Sequence, residues 1–340
     1  MINRDLKYFF GPMSKNVVDA TIATKNKYNF RIGFIPTRRQ VEYNGGYVNN
    51  WTTDRFSSYV RAKNNSVIIQ RDHAGPGQGY IDDDGFDSLA EDTKYMDLIH
   101  IDPWKKCPDY THGLAKTIEC MNFCHQRNPH CYFEVGTEEA IRKFTDGDLD
   151  KLLTDLKSFL PEKVYSQIAY AVVQSGTALD LGAQKNTGVF DADRLRRMLW
   201  VCNKHNVLSK EHNGDYLTIE EMRSRFDLGL NSINIAPELG QLETNVYLGI
   251  LRNLPRSLFD VLYTICYESK RWIRWANSHL NPLKEKEKVI IICGHYIFSE
   301  PAFIKLRAKM SKEFGISESE LDNMIVAKIE SHILTLGQLL

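Results

Sequence analysis

The chain has 340 residues, 43% of them hydrophobic, and its 43 basic side chains cancel its 43 acidic ones. Balanced charge excludes a broad electrostatic grip on nucleic acid or on an anionic membrane, while the apolar content suffices for a large buried core. Residues 1–20 lack the apolar stretch of a signal peptide and no apolar run is long enough to span a bilayer, so a cytoplasmic protein with no nucleic-acid or membrane partner is expected.

Short apolar runs recur along the chain, each followed by polar residues and then by a stretch of helical periodicity. Phe30–Ile35 is the first, followed by Ser66–Gln70, Met96–Ile101, His130–Val135, Ile168–Gln174, Asn206–Ser209, Ser232–Ala236 and Val289–Cys293. Their apolar character is continuous rather than alternating, as strands buried on both faces require. Between them, leucines at 149, 152, 153, 156 and 160 form one helical stripe, and Leu195, Met198, Leu199 and Cys202 form another. Eight such repeats predict an α/β fold, a (β/α)8 TIM barrel in a single domain over 1–340, with a helical extension at about 300–340. An open doubly wound sheet is the competing fold, but no G-x-G-x-x-G follows the first run.

The seven cysteines are scattered and odd in number, which reads as reduced thiols. Cys120, Cys124, His125, His130 and Cys131 lie close together but form no C-x-x-C pair, so they read as buried thiols rather than zinc ligands.

In a parallel barrel the reactive groups come from the carboxyl ends of the strands, where the βα loops converge. Just past the runs stand Arg38 and Arg39, then Asp72 and His73, then His100, Asp102 and Trp104. Glu134 and Glu138 follow, then Gly176 and Asp180, then Glu211, His212, Gly214 and Asp215, then Asn234 and Glu238, and last His295. Imidazoles beside carboxylates suit a divalent metal such as zinc or manganese, and the absence of thiolates there argues against a structural zinc. Such a metal polarises a carbonyl and stabilises an enolate while a neighbouring carboxylate moves a proton. Gly176, Gly214 and the backbone after Asn234 are candidate phosphate ligands through their N–H groups, with Arg38 or Arg39 on the same rim. Trp51 and Trp104 either stack on a sugar face or cover the barrel mouth. Arg271, Trp272, Arg274 and Trp275 read as an amphipathic helix packed on the barrel.

Four segments carry a resemblance: Asp72-His73-Ala74-Gly75-Pro76, Val135-Gly136-Thr137-Glu138, Glu211-His212-Asn213-Gly214-Asp215-Tyr216, and the Ile233–Leu239 run. In order and spacing, from about residue 30 to residue 275, the sequence resembles the accessory, non-catalytic subunit of class II D-tagatose-1,6-bisphosphate aldolase. The wider class II aldolases place an Asp-His pair after a strand, the His on metal and the Asp in proton transfer, and Asp72-His73 is similar to it. Their Gly-Thr-Ala-His resembles Gly176-Thr177-Ala178-Leu179, but Leu179 cannot ligate metal, so Asp180 or Glu134 would have to substitute. Their later His is similar to His212, and their Asn-Val-Ala-Thr-Glu-Leu is similar to Asn234–Leu239, where the Asn contacts a dihydroxyacetone moiety.

Position and resemblance together imply a metal site of His73 and His212 completed by Glu134 or Asp180, with zinc or manganese as the cofactor. They imply Asp72, Glu211 and Glu134 as catalytic groups, and Arg38, Asp102, Gly176, Asp215 and Asn234 as substrate contacts. The expected activity is that of a metal-dependent aldolase or epimerase acting on a ketose or sugar phosphate in carbohydrate metabolism, since cleavage and re-addition on the other face share one site. Two alternatives stand beside it. One is a non-catalytic accessory subunit that stabilises a catalytic aldolase partner; the other is an enzyme of unusual or nucleotide-linked sugar biosynthesis. The protein partner is then either a catalytic aldolase subunit or further copies of this chain in a homo-oligomer.

Overall fold

Runs of Ile, Val, Phe and Tyr bury on both faces when a strand has the barrel interior on one side and a helix on the other. The computed structural model, which describes residues 6–339, shows eight such strands closed into a ring. Residues 1–5 and 340, the ends of the unit expected over 1–340, lie outside the described residues. The strands are β1 (Tyr8–Phe10), β2 (Ile32–Phe34), β3 (Ile68–Ala74), β4 (Leu98–Ile101), β5 (Tyr132–Val135) and β6 (Ile168–Val173). After a small antiparallel hairpin, β7 (Leu179–Asp180) with β8 (Lys185–Asn186), come β9 (Leu208–Glu211) and β10 (Ser232–Ile235). Every neighbour in the ring is parallel, β1 closing onto β10 through Tyr8 opposite Ile233, and helices separate the strands. The fold is a (β/α)8 barrel.

Seven of the eight apolar runs are barrel strands, and the eighth is not. Val289–Cys293 lies inside a helix, Lys286–Ile297, packed between the helices Pro237–Leu251 and Arg256–Glu268. A short, wholly buried apolar run satisfies a central helix as well as a central strand, and here the helix wins. The strand that replaces it is β1, three residues long. Helix starts follow side-chain caps: Ser14, Thr52, Asp109, Thr145, Asp191, Thr218 and Ser317 each accept a backbone N–H three residues on. The expected C-terminal extension is two helices, Pro301–Phe314 and Glu318–Leu336, the second packed on Lys15–Tyr28 and on Pro237–Leu251. No single helix among the described residues is long and apolar enough to cross a membrane. Cys120, Cys124 and Cys131 are buried free thiols in the layer between barrel and helices.

The pleat sorts the strand residues. Ile68, Leu98, Tyr170 and Leu208 meet in an inner cluster with Phe9, while Ile69, Ile99, Phe133 and Ala171 pack outward on the helices. Beyond a register shift at the start of β6, where Ile168 packs outward, the even-numbered positions of β3–β6, β9 and β10 therefore face the barrel axis. One step up from the inner cluster they deliver Gln70, His100, Glu134 and Lys210, and the next step delivers Asp72, Asp102, His212 and Asn234. Odd neighbours turn outward: Arg71 pairs with Asp92 at 2.7 Å, and Glu211 pairs with Arg225 at 2.9 Å.

Candidate functional site

His73 breaks that alternation. The register of β3 on β4 shifts between Arg71 and Ala74, and His73 takes a left-handed backbone with φ of 44°. A bulge of this kind lets two consecutive side chains, Asp72 and His73, enter the same space. The left-handed conformation is costly for a residue with a Cβ and persists where the surroundings impose it, as active sites do.

The result is a cluster of Asp72, His73, His100 and His212 whose potential ligand atoms lie within 4.8 Å of one another. The Asp72 carboxylate stands 3.7 Å from His73 Nε2, 3.5 Å from His100 Nδ1 and 3.9 Å from His212 Nδ1. Each imidazole is tied on its far nitrogen. His73 Nδ1 meets Asp102 at 2.6 Å, His100 Nε2 meets the Gly136 carbonyl at 3.1 Å, and His212 Nε2 meets Glu134 at 2.7 Å. Carboxylate and carbonyl partners that accept those N–H protons turn the other nitrogen of each neutral ring inward, His100 Nδ1 also meeting the His73 N–H at 3.4 Å, which is how metal-binding imidazoles are oriented. The inward Oδ1 of Asp72 is buried without a hydrogen-bond partner. The donor set, three nitrogens and one carboxylate oxygen, fits zinc or manganese.

The acids around the cluster favour positive charge within it, carried by a proton on His73 when no metal is bound. Burial opposes the charge on Asp72, but His73, His212 and His100 outweigh it and hold the carboxyl down at about 2. Burial also opposes protonation of His73, yet Asp72, Asp102 and Glu138 raise it to about 10. Glu134 lies well below the usual carboxylate range: burial disfavours its charge, and Lys210, His100 and His212 more than compensate. Lys210 donates to Glu134 at 2.6 Å and lies over the Phe9 ring at 3.6 Å, with no exposure to solvent.

The cluster opens into a cavity of about 460 Å³ at the carboxyl ends of the strands, where Asp72, His73 and His212 share the wall with Glu138, Asp215 and Asn234. Both amide atoms of Asn234 are buried without partners. Buried polar atoms are rarely left unpaired, so an unpartnered amide on a residue of the cavity wall marks a place for a ligand. His295, on Lys286–Ile297 rather than on a strand, reaches the same cavity with both ring nitrogens unpartnered. Burial, and secondarily Arg271, keeps it neutral with a pKa of about 3.

The structure brings together Asp72, His73, His212, Asp215 and Asn234 from the sequence-derived set, and places the others differently. Glu134 and Asp102 sit behind the imidazoles, gripping His212 and His73 rather than facing the cavity. Glu211 points out of the barrel, accepting from Arg225 at 2.9 Å and from the Ser175 N–H at 2.6 Å. Asp180 lies on the hairpin, where its carboxylate accepts the Ala183 N–H, and it is not among the clustered donors. Arg38 is spent on Glu42, Asp83 and the Gly75 carbonyl, whereas Arg39 lines the cavity. Gly176 lines a separate cavity with Arg194 and Arg197, both of which are paired with acids. The backbone after Asn234 is capped already: Asp215 Oδ1 accepts from Ala236 N and Glu238 N, each at 2.9 Å. Burial and the Glu238 carboxylate hold that Asp215 carboxyl up at about 8.

Two members escaped the sequence-derived ligand and catalytic sets. His100 is the third imidazole, and its even position on β4 was the available signal. Glu138 comes within 3.9 Å of His73 Nε2 and 4.0 Å of His212 Nδ1 from the loop after β5. Of the tryptophans, Trp104 lines the cavity, while Trp51 packs in the outer core against Phe56 and Tyr59. Arg271–Trp275 is a single 3-10 turn instead of an amphipathic helix, and it sets Arg274 and Trp275 at the cavity mouth.

No family model matches the chain, and no relative is found among curated proteins. Among solved structures it is similar to a protein described as a probable tagatose 6 phosphate kinase from Sinorhizobium meliloti 1021, at 14% identity and a TM-score of 0.76, over 98% of this chain and 100% of that one. It is similar to the fructuronate-tagaturonate epimerase UxaE from Cohnella laeviribosi, at 9% identity and a TM-score of 0.64, over 98% of this chain and 81% of that one. It is also similar to the YdjI aldolase from Escherichia coli K12, at 13% identity and a TM-score of 0.53, over 92% and 93%. At these identities the likeness establishes a shared barrel fold.

Proposed function

We propose that the protein is a metal-dependent enzyme of sugar metabolism, an aldolase or epimerase acting on a ketose or ketose phosphate. The observation that carries this reading is the cluster of three imidazoles and Asp72, each imidazole fixed from behind, opening beside the unpartnered Asn234 amide. His73, His100, His212 and Asp72 would hold a divalent metal, which in such a site supplies Lewis-acid stabilisation of the oxyanion formed at a substrate carbonyl. The rest of the chemistry falls to the chain. Asn234 offers a donor and an acceptor to adjacent oxygens of the substrate. Glu138, bonded to Asn213 at 2.7 Å and otherwise open to the cavity, is placed to take a proton from a substrate hydroxyl and return it. The protonated Asp215 carboxyl is a second candidate for proton donation. Aldolases and an epimerase among the structural neighbours support the substrate class.

A non-catalytic accessory role, which the motif resemblance implies, requires none of these groups to converge. The two readings separate on one experiment: elemental analysis of the dialysed protein, then a screen of ketoses and their phosphates for cleavage and epimerisation. About one bound zinc or manganese per chain, lost on changing His100 to Ala, is expected together with chelator-sensitive turnover. A metal-free chain with undiminished turnover, or an inactive chain that purifies with a stoichiometric second barrel, defeats the proposal.

A further inference from the structure

The phosphate sites common in this fold are closed here. Asp215 occupies the N–H groups at the start of Pro237–Leu251, and the Gly214 N–H donates to the Asn234 carbonyl at 2.8 Å. Three cations gather instead at the mouth of the cavity. Arg39 comes from the loop after β2, Lys105 from the loop after β4, and Arg274 from the turn Arg271–Trp275, and all three line the cavity.

What distinguishes them is that none forms an ion pair with a carboxylate among the described residues, Asp102 acting on Lys105 only from beyond ion-pairing distance. Arg39 donates only to the Gly79 carbonyl at 3.2 Å, and Lys105 to the Gly77 carbonyl at 3.2 Å. Their neighbours are neutralised: Arg38 by Glu42 and Asp83, Lys106 by Asp82, and Arg271 by Glu300. A chain with equal numbers of acids and bases has left this trio of like charges unpaired. The three feel one another. Burial lowers the proton affinity of Arg39 and Arg274 lowers it further; burial also lowers that of Lys105, with Arg39 and Arg274 adding to it. Repulsion of this kind is a standing cost that an anion between the three would relieve, and guanidinium forks match the oxygens of phosphate or carboxylate.

We infer that Arg39, Lys105 and Arg274 bind an anionic group, a phosphate ester or a carboxylate, carried by the ligand whose hydroxyl-bearing end reaches Asn234. The inference rests on the sugar-metabolism reading for the rest of that ligand, but not for the anion site itself. It makes the substrate an anionic sugar rather than a neutral one, and it moves anion recognition from backbone amides to side chains at the mouth.

The test titrates inorganic phosphate and, separately, acetate into the full chain by calorimetry at fixed ionic strength. The variants are Arg39→Ala, Arg274→Ala and the exposed Lys105→Ala. Zinc affinity is measured in parallel on the same samples. Binding of phosphate or of acetate that each arginine variant weakens about tenfold or more, with zinc affinity unchanged, is the expected result. Tighter phosphate assigns a phosphate ester; tighter acetate assigns a uronate-type carboxylate. Anion binding that is absent, or equal in wild type and all three variants, overturns the inference while leaving the metal reading intact. Absent zinc with the anion effect preserved does the reverse.

Discussion

Changing Glu134 to Gln tests the link between the barrel interior and the metal site. Glu134 is a fully buried carboxylate whose Oε1 meets His212 Nε2 at 2.7 Å and whose Oε2 accepts from Lys210 and Gln70, each at 2.6 Å. An amide keeps the shape and removes the charge, leaving the Lys210 ammonium buried without a counter-ion. Breaking a buried pair from one side costs about 3–5 kcal/mol. A second effect concerns the proton on His212. Lys210 has only donors, so it claims the amide oxygen and turns the amide NH2 toward His212 Nε2. That nitrogen must then accept, the proton moves to Nδ1, and the lone pair facing Asp72 is lost. Loss of an orienting partner behind a metal-binding imidazole lowers metal affinity about 10- to 100-fold. The double variant Glu134→Gln/Lys210→Met removes the ammonium, which frees the amide oxygen to turn back to His212. Urea denaturation should show most of the lost stability returning, and zinc titration calorimetry should show most of the affinity returning. Zinc affinity within twofold of wild type in the single variant would refute the tautomer mechanism. A double variant as unstable as the single one would show that the stranded ammonium is not the cause.

Asn234→Ala should leave the ligand-free protein as stable as before, or more stable by about 1–3 kcal/mol, because it deletes an amide that is buried without partners. Turnover of the sugar found by screening should fall at the same time, and a loss of stability on urea denaturation would mean the amide has a partner in the free protein. Glu243, buried at the Ser14 hydroxyl and 3.0 Å from Asn16 Nδ2, is held up at about 7 by burial, against 4.5 for a free glutamate. The folded chain then retains a proton that the unfolded chain has released between about pH 4.5 and pH 7, so stability falls as pH rises through that window, by about 3 kcal/mol from this group, and no further above it. Urea melts of wild type and Glu243→Gln at pH 5 and pH 8 should show a smaller pH difference in the variant; equal differences would remove Glu243 as the cause.

The barrel was legible because seven strands are continuous apolar runs flanked by helical stripes. The exceptions have physical causes. β1 is three residues long, too short to show a period, and Val289–Cys293 is apolar on all sides because its helix is covered on all sides. The strand ends were legible as a place; which way each side chain points was less so. Parity along β9 sends Lys210 inward and Glu211 outward, and along β4 it sends His100 inward, information that was present in the residues once the strand registers were fixed. His73 could not be found by parity, since it enters the site only through a left-handed bulge. Between adjacent Arg38 and Arg39 the deciding signal was Glu42, four residues on, which with Asp83 draws Arg38 away from the cavity.

The Gln70–Glu134–Lys210 layer bears on whether the site is in use. Well-packed apolar residues in place of a buried ion pair are often neutral or stabilising, so stability alone gives little reason to keep an ammonium and a carboxylate in the middle of a barrel. The layer does one thing that apolar residues would not. It holds an ionised oxygen against His212 Nε2, while Asp102 meets His73 Nδ1, and so helps fix which nitrogen of each ring faces Asp72. A scaffold that had lost its chemistry would have no use for that orientation, and apolar replacement would relieve the desolvation it entails. Charges buried beneath the imidazoles, an unpartnered amide beside them and unpaired cations above them are three separate costs converging on one cavity, and a bound metal and an anionic sugar would offset all three.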